Sequence, residues 1–162
     1  MALPALDRAA KVAELRALLQ EKHGGAQVLD APNSGVLPSG LTELDALLPG
    51  GLPRGALTLF TGRSSSGKTG AALSYLADWT KQGGTAAWLH AGGFSPGSAA
   101  QAGVDLRRVL QVRSRSREQA FRCTDYLLRW QAFGLVVVDW VGRAGRGANW
   151  NRLHRLVTGS RT

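Results

Sequence analysis

Cysteine is nearly missing from this chain: Cys123 is the only one in 162 residues, so no internal disulfide can form and a reducing compartment suits the protein. Its neighbours Ala120, Phe121 and Arg122 lie in a helical pattern, which suits a small packed or surface residue better than a nucleophile. Acidic residues are scarce too. The 11 Asp and Glu face 20 Lys and Arg, a formal charge of +9, which points to a polyanionic partner such as nucleic acid or, more plainly, to solubility. Long apolar runs are lacking, and the first residues mix Asp7 and Glu14 with basic ones. Neither a signal peptide nor a membrane span is expected, and the protein reads as soluble and cytoplasmic. There is no internal repeat, and a 162-residue chain with 44% hydrophobic content fits one domain with a real core.

What is present centres on Gly62-Arg63-Ser64-Ser65-Ser66-Gly67-Lys68-Thr69. Two glycines five positions apart, the second followed by lysine and a hydroxyl residue, form the pattern of a loop that cradles phosphate. Such a loop turns its backbone N–H groups inward, and glycine permits both the dihedrals and the close approach. In that pattern Lys68 reaches the β- and γ-phosphates of ATP and Thr69 ligates Mg²⁺. The apolar residues 56–60 ahead of the loop read as a strand, and residues 71–79 after it as a helix whose N-terminus adds partial positive charge.

Along the chain, Leu6, Ala9, Val12, Ala13, Leu15, Leu18 and Leu19 recur at helical spacing until Gly24-Gly25. Pro32, Asn33, Gly35 and Pro38 then form a tether, so this leading helix either packs back on its own domain or docks on a neighbour, self-association included. A short helix is expected over 38–48, and a buried strand over 85–90. Ser95-Pro96 starts a helix that ends at Gly103. Residues 109–112 read as a strand, and Ser116 with Gln119 as a capping box opening a helix that carries Phe121, Tyr126, Leu127, Leu128 and Trp130. Leu135-Val136-Val137-Val138-Asp139 reads as a central parallel strand with a carboxylate at its tip, where open α/β sheets place ligands and where Asp139 joins Thr69 as a candidate Mg²⁺ residue. Past Gly142 come Arg143, Arg146, Arg152, Arg155 and Arg161 without an acidic residue. These arginines, with Arg107, Arg108, Arg113, Arg115 and Arg117, are candidates for DNA contact or a solvated basic face. Trp150, Leu153, Leu156 and Val157 suit one short helix.

The ordered set of motifs resembles the amino-terminal two-thirds of a bacterial RecA-type recombinase core. It comprises the leading helix, Gly40-Leu41-Thr42-Glu43-Leu44-Asp45, the turn from Gly50 to Gly55, the phosphate loop, Gly103-Val104-Asp105 and Val136 to Asp139, over about residues 6–142. The resemblance implies an α/β P-loop NTPase fold: a mainly parallel sheet flanked by helices, truncated after the strand ending in Asp139, with a separate N-terminal helix. It divides the chain into 1–37 (helix and linker), 38–142 (nucleotide-binding core) and 143–162 (basic tail).

The departures carry as much meaning. Where that family has a water-activating acidic residue, this sequence runs Leu89-His90-Ala91-Gly92-Gly93-Phe94, and Ser98 and Ser95 stand for the tyrosine and aspartate used around adenine. Residues 41–58 look particularly like the ImuA group, accessory factors of translesion synthesis that contact RecA and polymerases. SulA, the RecA-like division inhibitor that binds FtsZ, is a second resemblance, disfavoured by the phosphate loop and the basic tail. The resemblance therefore implies an ATP-binding accessory factor of the DNA-damage response with weak or no hydrolysis. An interaction module without nucleotide, or an ATPase using Asp45, Asp105 or a neighbour's carboxylate, are the alternatives.

Overall fold

The computed structural model describes residues 35–139 and 150–158, so the expected leading helix and Arg143, Arg146 and Arg161 lie outside the described residues. Strands β1 (Val36–Leu37) and β2 (Leu52–Pro53) pair antiparallel, Val36 facing Pro53 and Leu37 facing Leu52, around helix α1 (Thr42–Leu47). This small sheet is not announced by the sequence, because two residues per strand carry no periodicity. Its backbones come so close at Gly51 that a Cβ there would overlap the Leu37 carbonyl.

Helix α2 (Lys68–Lys81) follows the glycine-rich loop. Strand β3 (Ala86–His90) leads to the short helix α3 (Pro96–Gln101), and a 3-10 turn at Leu106–Arg108 leads to β4 (Val109–Arg113). Helix α4 (Arg117–Trp130), β5 (Leu135–Asp139) and helix α5 (Trp150–Thr158) complete the described chain. The main sheet is parallel with β3 between β4 and β5. Both caps read from the sequence form: Ser95 Oγ accepts from the Ser98 N–H, and Ser116 Oγ accepts from the Gln119 N–H while Gln119 Oε1 accepts from the Arg115 N–H.

All five residues of β3 are buried, as expected of a central parallel strand covered on both faces. Alternation sorts them. Ala86 and Trp88 pack with Leu76 and Ala77 of α2 and Ala99 of α3, whereas Ala87 and Leu89 pack with Leu127 of α4, with half-buried Cys123 beside them. The result is a three-layer α/β arrangement in which α2 and α4 cover opposite faces.

The expected strand at residues 56–60 does not form. Leu59 is 66% exposed, and no described strand pairs with this run. An apolar segment becomes a strand only where a neighbour supplies a hydrogen-bonding ladder, which composition alone cannot report.

Trp79 of α2 ties several elements together. Its indole N–H donates to the Thr85 carbonyl at 2.9 Å, and the Arg54 guanidinium lies 4.8 Å from the ring centroid. The ring sits against Gly84 and Gly134, where a Cβ would overlap it. Gly134→Ala is therefore expected to cost about 1–3 kcal/mol by overpacking. At roughly 2–4 °C per kcal/mol, the melting temperature followed by circular dichroism should fall by several degrees. Gly97→Ala, whose Cβ meets nothing within 4 Å, should leave it in place.

Helix α5 docks on α4 through Leu153 and Val157 against Leu128. An ion pair seals it: Arg152 Nε and Nη2 donate to the two Asp125 oxygens at 2.7 and 3.1 Å, and Arg129 Nε lies 3.1 Å from Asp125 Oδ2. The Arg152 hydrogen bond, more than the burial opposing it and with the charge of Arg129 helping, holds the Asp125 carboxyl below its ordinary 3.8. A depressed carboxyl stabilises the fold fully above the unfolded value and loses that contribution as pH falls through the folded one. Melts across an acid series should show Asp125→Asn less stable than the parent near neutrality, with the gap closing below about pH 4.

Candidate nucleotide site and basic surface

The glycine-rich loop is wound round the Lys68 ammonium. Nζ donates to the Arg63 carbonyl at 2.6 Å, to the Gly62 carbonyl at 3.2 Å and to Ser66 Oγ at 3.0 Å. Ser65 and Gly67 both take left-handed φ values, 59° and 81°, and Gly67 is the residue from which α2 starts. A Cβ at Gly62 would lie 2.7 Å from Ser66 Oγ, so a side chain there would displace the hydroxyl that Lys68 contacts. The arrangement is a concave loop ending in a helix N-terminus with a lysine at its mouth, which fits a phosphate group. Thr69 is exposed in the first turn of α2.

Asp139 ends β5 in register with His90 at the end of β3, so both occupy the carboxyl edge of the sheet. A Cβ at Gly93 would stand 3.6 Å from Asp139 Oδ2, which brings the loop after β3 beside that carboxylate. The sequence does not tell which of residues 91–94 comes nearest Asp139, because that depends on how the loop folds back; in the structure it is Gly93 whose Cβ position faces the carboxylate. His90 is buried, its Nε2 lies 2.9 Å from the Gln111 amide, and the Phe94 N–H donates to Nδ1 at 3.5 Å. Both ring nitrogens are thus engaged, and the ring packs beside Phe94 with centroids 5.9 Å apart. Among the described residues no cluster of three or more His, Cys, Asp or Glu forms a metal site.

The other carboxylates considered as stand-ins are committed elsewhere. Asp45 accepts the Ser39 N–H at 2.8 and 3.1 Å and closes the turn ahead of α1. Asp105 caps the turn at Arg107 and pairs with Arg107 at 3.0 Å and Arg108 at 3.6 Å; the Arg107 hydrogen bond holds its carboxyl below the ordinary range. Ser95 and Ser98 are joined by a 3.1 Å hydroxyl contact within the α3 cap.

Of the candidate nucleic-acid residues, Arg152 is held by Asp125 and Arg155 Nε donates to the Asn151 carbonyl at 3.3 Å. Arg108 also donates to the Gly83 carbonyl, and Arg117 lies over the Phe121 ring. Arg117 thus lies on α4 and Arg152 and Arg155 on α5, whereas Arg108 belongs to the 3-10 turn ahead of β4.

A family model described as the RecA N-terminal domain matches residues 20–146. The chain belongs to the RecA family. This RecA-family chain is 39% identical over 104 residues to Protein RecA of Picosynechococcus sp., spanning 64% of this chain and 30% of that protein. It is 43% identical over 109 residues to Protein RecA of Symbiobacterium thermophilum, spanning 66% of this chain and 31% of that protein. With Protein RecA of Oleidesulfovibrio alaskensis the figures are 40% over 128 residues, 75% and 36%. The chain thus spans 30% to 36% of the length of these relatives. The crystal structure of the RadB recombinase superposes with a TM-score of 0.63 at 28% identity, covering 78% of this chain and 65% of that one. The family-model match takes in the phosphate loop, the β3 edge and Asp139, and ends before Arg152 and Arg155. Among the described residues no helix is long and apolar enough to cross a membrane.

Proposed function

We propose that this RecA-family chain binds Mg-ATP through residues 62–69 and serves as a nucleotide-controlled accessory factor in DNA repair, in translesion synthesis or recombination. The observation that carries this is the pairing of an intact lysine-centred loop with a carboxyl edge that offers Asp139 but no carboxylate at residues 91–94. Lys68 would present its ammonium to the phosphates, the loop N–H groups would hold them, and Thr69 and Asp139 would hold the metal. Bound Mg²⁺ supplies charge neutralisation between the phosphates. With no positioned base, ATP acts as a ligand that orders the loop and not as rapidly spent fuel.

In this reading residues 38–142 form the nucleotide-binding core, residues 1–37 associate with a neighbouring subunit or with RecA or a translesion polymerase complex, and residues 143–162 add a DNA-facing element in a cytoplasmic protein. The likeness of residues 41–58 to the ImuA group favours the translesion role. Calorimetric titration with Mg-ATP, alongside a turnover assay with and without DNA, tests it. Micromolar binding with little turnover supports the reading. No binding would leave a protein-interaction module.

A further inference from the structure

The run at residues 56–60 reads as a strand and is left unpaired, and the sheet keeps an open edge beside it. Strand β5 pairs with β3 on one side and, among the described residues, with nothing on the other. No described backbone hydrogen bond joins residues 56–60 to another segment. Both the edge and the run therefore hold N–H and C=O groups without a ladder.

Contacts at both ends lay the run along that edge. At its start the Arg54 guanidinium sits over Trp79, whose ring packs on Gly134, the residue just before β5. The run then heads for Lys68 at the opposite end of α2, and on the way Phe60 stacks on Tyr75 with centroids 6.3 Å apart. Tyr75 packs in the same cluster as Leu135, the first residue of β5. Alternation supports a parallel match of 56–60 with 135–139. Phe60 faces α2 through Tyr75, so Leu57 and Leu59 take the other side of an extended run. In β5, Leu135 and Val137 pack towards α2 and Val136 towards α4, which puts Val138 on the α4 side as well. Setting residue 56 beside 135 lays Leu57 on Val136, and Leu59, 66% exposed, on Val138, 42% exposed. Apolar side chains now in water would cover one another.

The segment just after the run is tied to the lysine, since Lys68 Nζ holds the Gly62 and Arg63 carbonyls. An anion that engages this ammonium competes with those carbonyls. We propose that residues 56–60 are a nucleotide-gated strand: Mg-ATP binding joins them in parallel to the open edge of β5 and brings the phosphate loop to Asp139. The gate rests on the Mg-ATP reading above and concerns the regulation of that same site. A ligand shifts such an equilibrium only by its preference for one state, and moving it from about 10:1 open to 1:10 takes a roughly 100-fold preference for the joined form.

Hydrogen–deuterium exchange of the full chain, read by mass spectrometry with and without Mg-ATP, tests it. Without nucleotide, peptides covering 56–60 should exchange far faster than β3; with saturating Mg-ATP they should slow by at least ~10-fold, and β5 with them. Proline cannot donate to a ladder, and alternate residues of a strand point their N–H groups to opposite sides, so either Thr58→Pro or Leu59→Pro must block the join. Both positions are exposed and unpaired, so each nucleotide-free variant should melt with the parent. The blocking variant should bind Mg-ATP about tenfold more weakly by calorimetry and lose the nucleotide-dependent protection of β5. Residues 56–60 already as protected as β3 without nucleotide would overturn the gate. So would Mg-ATP binding that leaves their exchange unaltered, or two proline variants that bind as the parent does, and in both cases the nucleotide site survives. No binding of Mg-ATP by the parent overturns the gate and the proposed function together. Protection that arises only as protein concentration is raised would give the β5 edge to a strand of a second copy, and overturn the gate alone.

Discussion

Lys68→Ala is expected to weaken Mg-ATP binding by ~10²- to 10⁴-fold while leaving the circular dichroism spectrum and melting temperature near those of the parent. The magnitude follows from losing contacts between an ammonium and two phosphates, each hydrogen bond to a charged group being worth about 1.5–3 kcal/mol. The fold should tolerate the change because the partners of Nζ are Gly62, Arg63 and Ser66 in the exposed loop, and the core of α2 is built from Tyr75, Leu76 and Ala77. Lys68→Arg should not restore binding, since a planar fork does not replace a compact ammonium in a wound loop. Asp139→Ala should weaken only the Mg²⁺-dependent part, measured by titration with and without the metal. If both variants bind Mg-ATP as the parent does, the site is elsewhere.

Turnover by the unmodified chain should be slow, with or without DNA, short by the ~10²–10⁴ that a positioned base contributes. Ala91 and Gly92 carry no base, His90 is buried with both ring nitrogens engaged, and Asp45 and Asp105 are tied into local turns. A rescue must respect the loop. Gly92 has φ +148°, a conformation that strains an L side chain, and its Cβ would point into open space. Gly93 faces Asp139, so Gly93→Glu is the better site for a new carboxylate and Gly92→Glu the weaker one. Gly93→Glu should raise the steady-state rate of phosphate release, up to ~10²-fold, and only with Mg²⁺ present to offset the repulsion from Asp139. Brisk DNA-stimulated hydrolysis by the parent, abolished by Lys68→Ala, would refute this and direct attention to a base from a neighbouring subunit.

Much of the local geometry of the candidate site was legible because its parts are close in sequence. The loop pattern requires glycine, lysine and threonine at fixed spacing, and the structure winds residues 62–67 around Lys68 ahead of α2 as that spacing demands. The Ser95 and Ser116 caps involve partners three residues away, and β3 and β5 announce themselves as short apolar runs. Each is settled by chemistry within one turn or one strand, so the order of residues is sufficient.

Tertiary structure decided what depends on distant partners. Whether residues 56–60 pair, whether Asp45 is free, and whether Gly93 or Gly92 faces Asp139 turn on where other segments arrive. The sequence placed Tyr126 and Trp130 on the helix opened by Ser116 without saying which face they take; burial of Ala120, Thr124, Leu127 and Leu128 leaves both rings in water. Arg152 looked like part of a solvated tail until Asp125, far back along α4, was found to hold it. A sequence states which groups a segment carries; packing, which maximises apolar burial and pairs the polar atoms it encloses, selects the ones that remain available to a ligand.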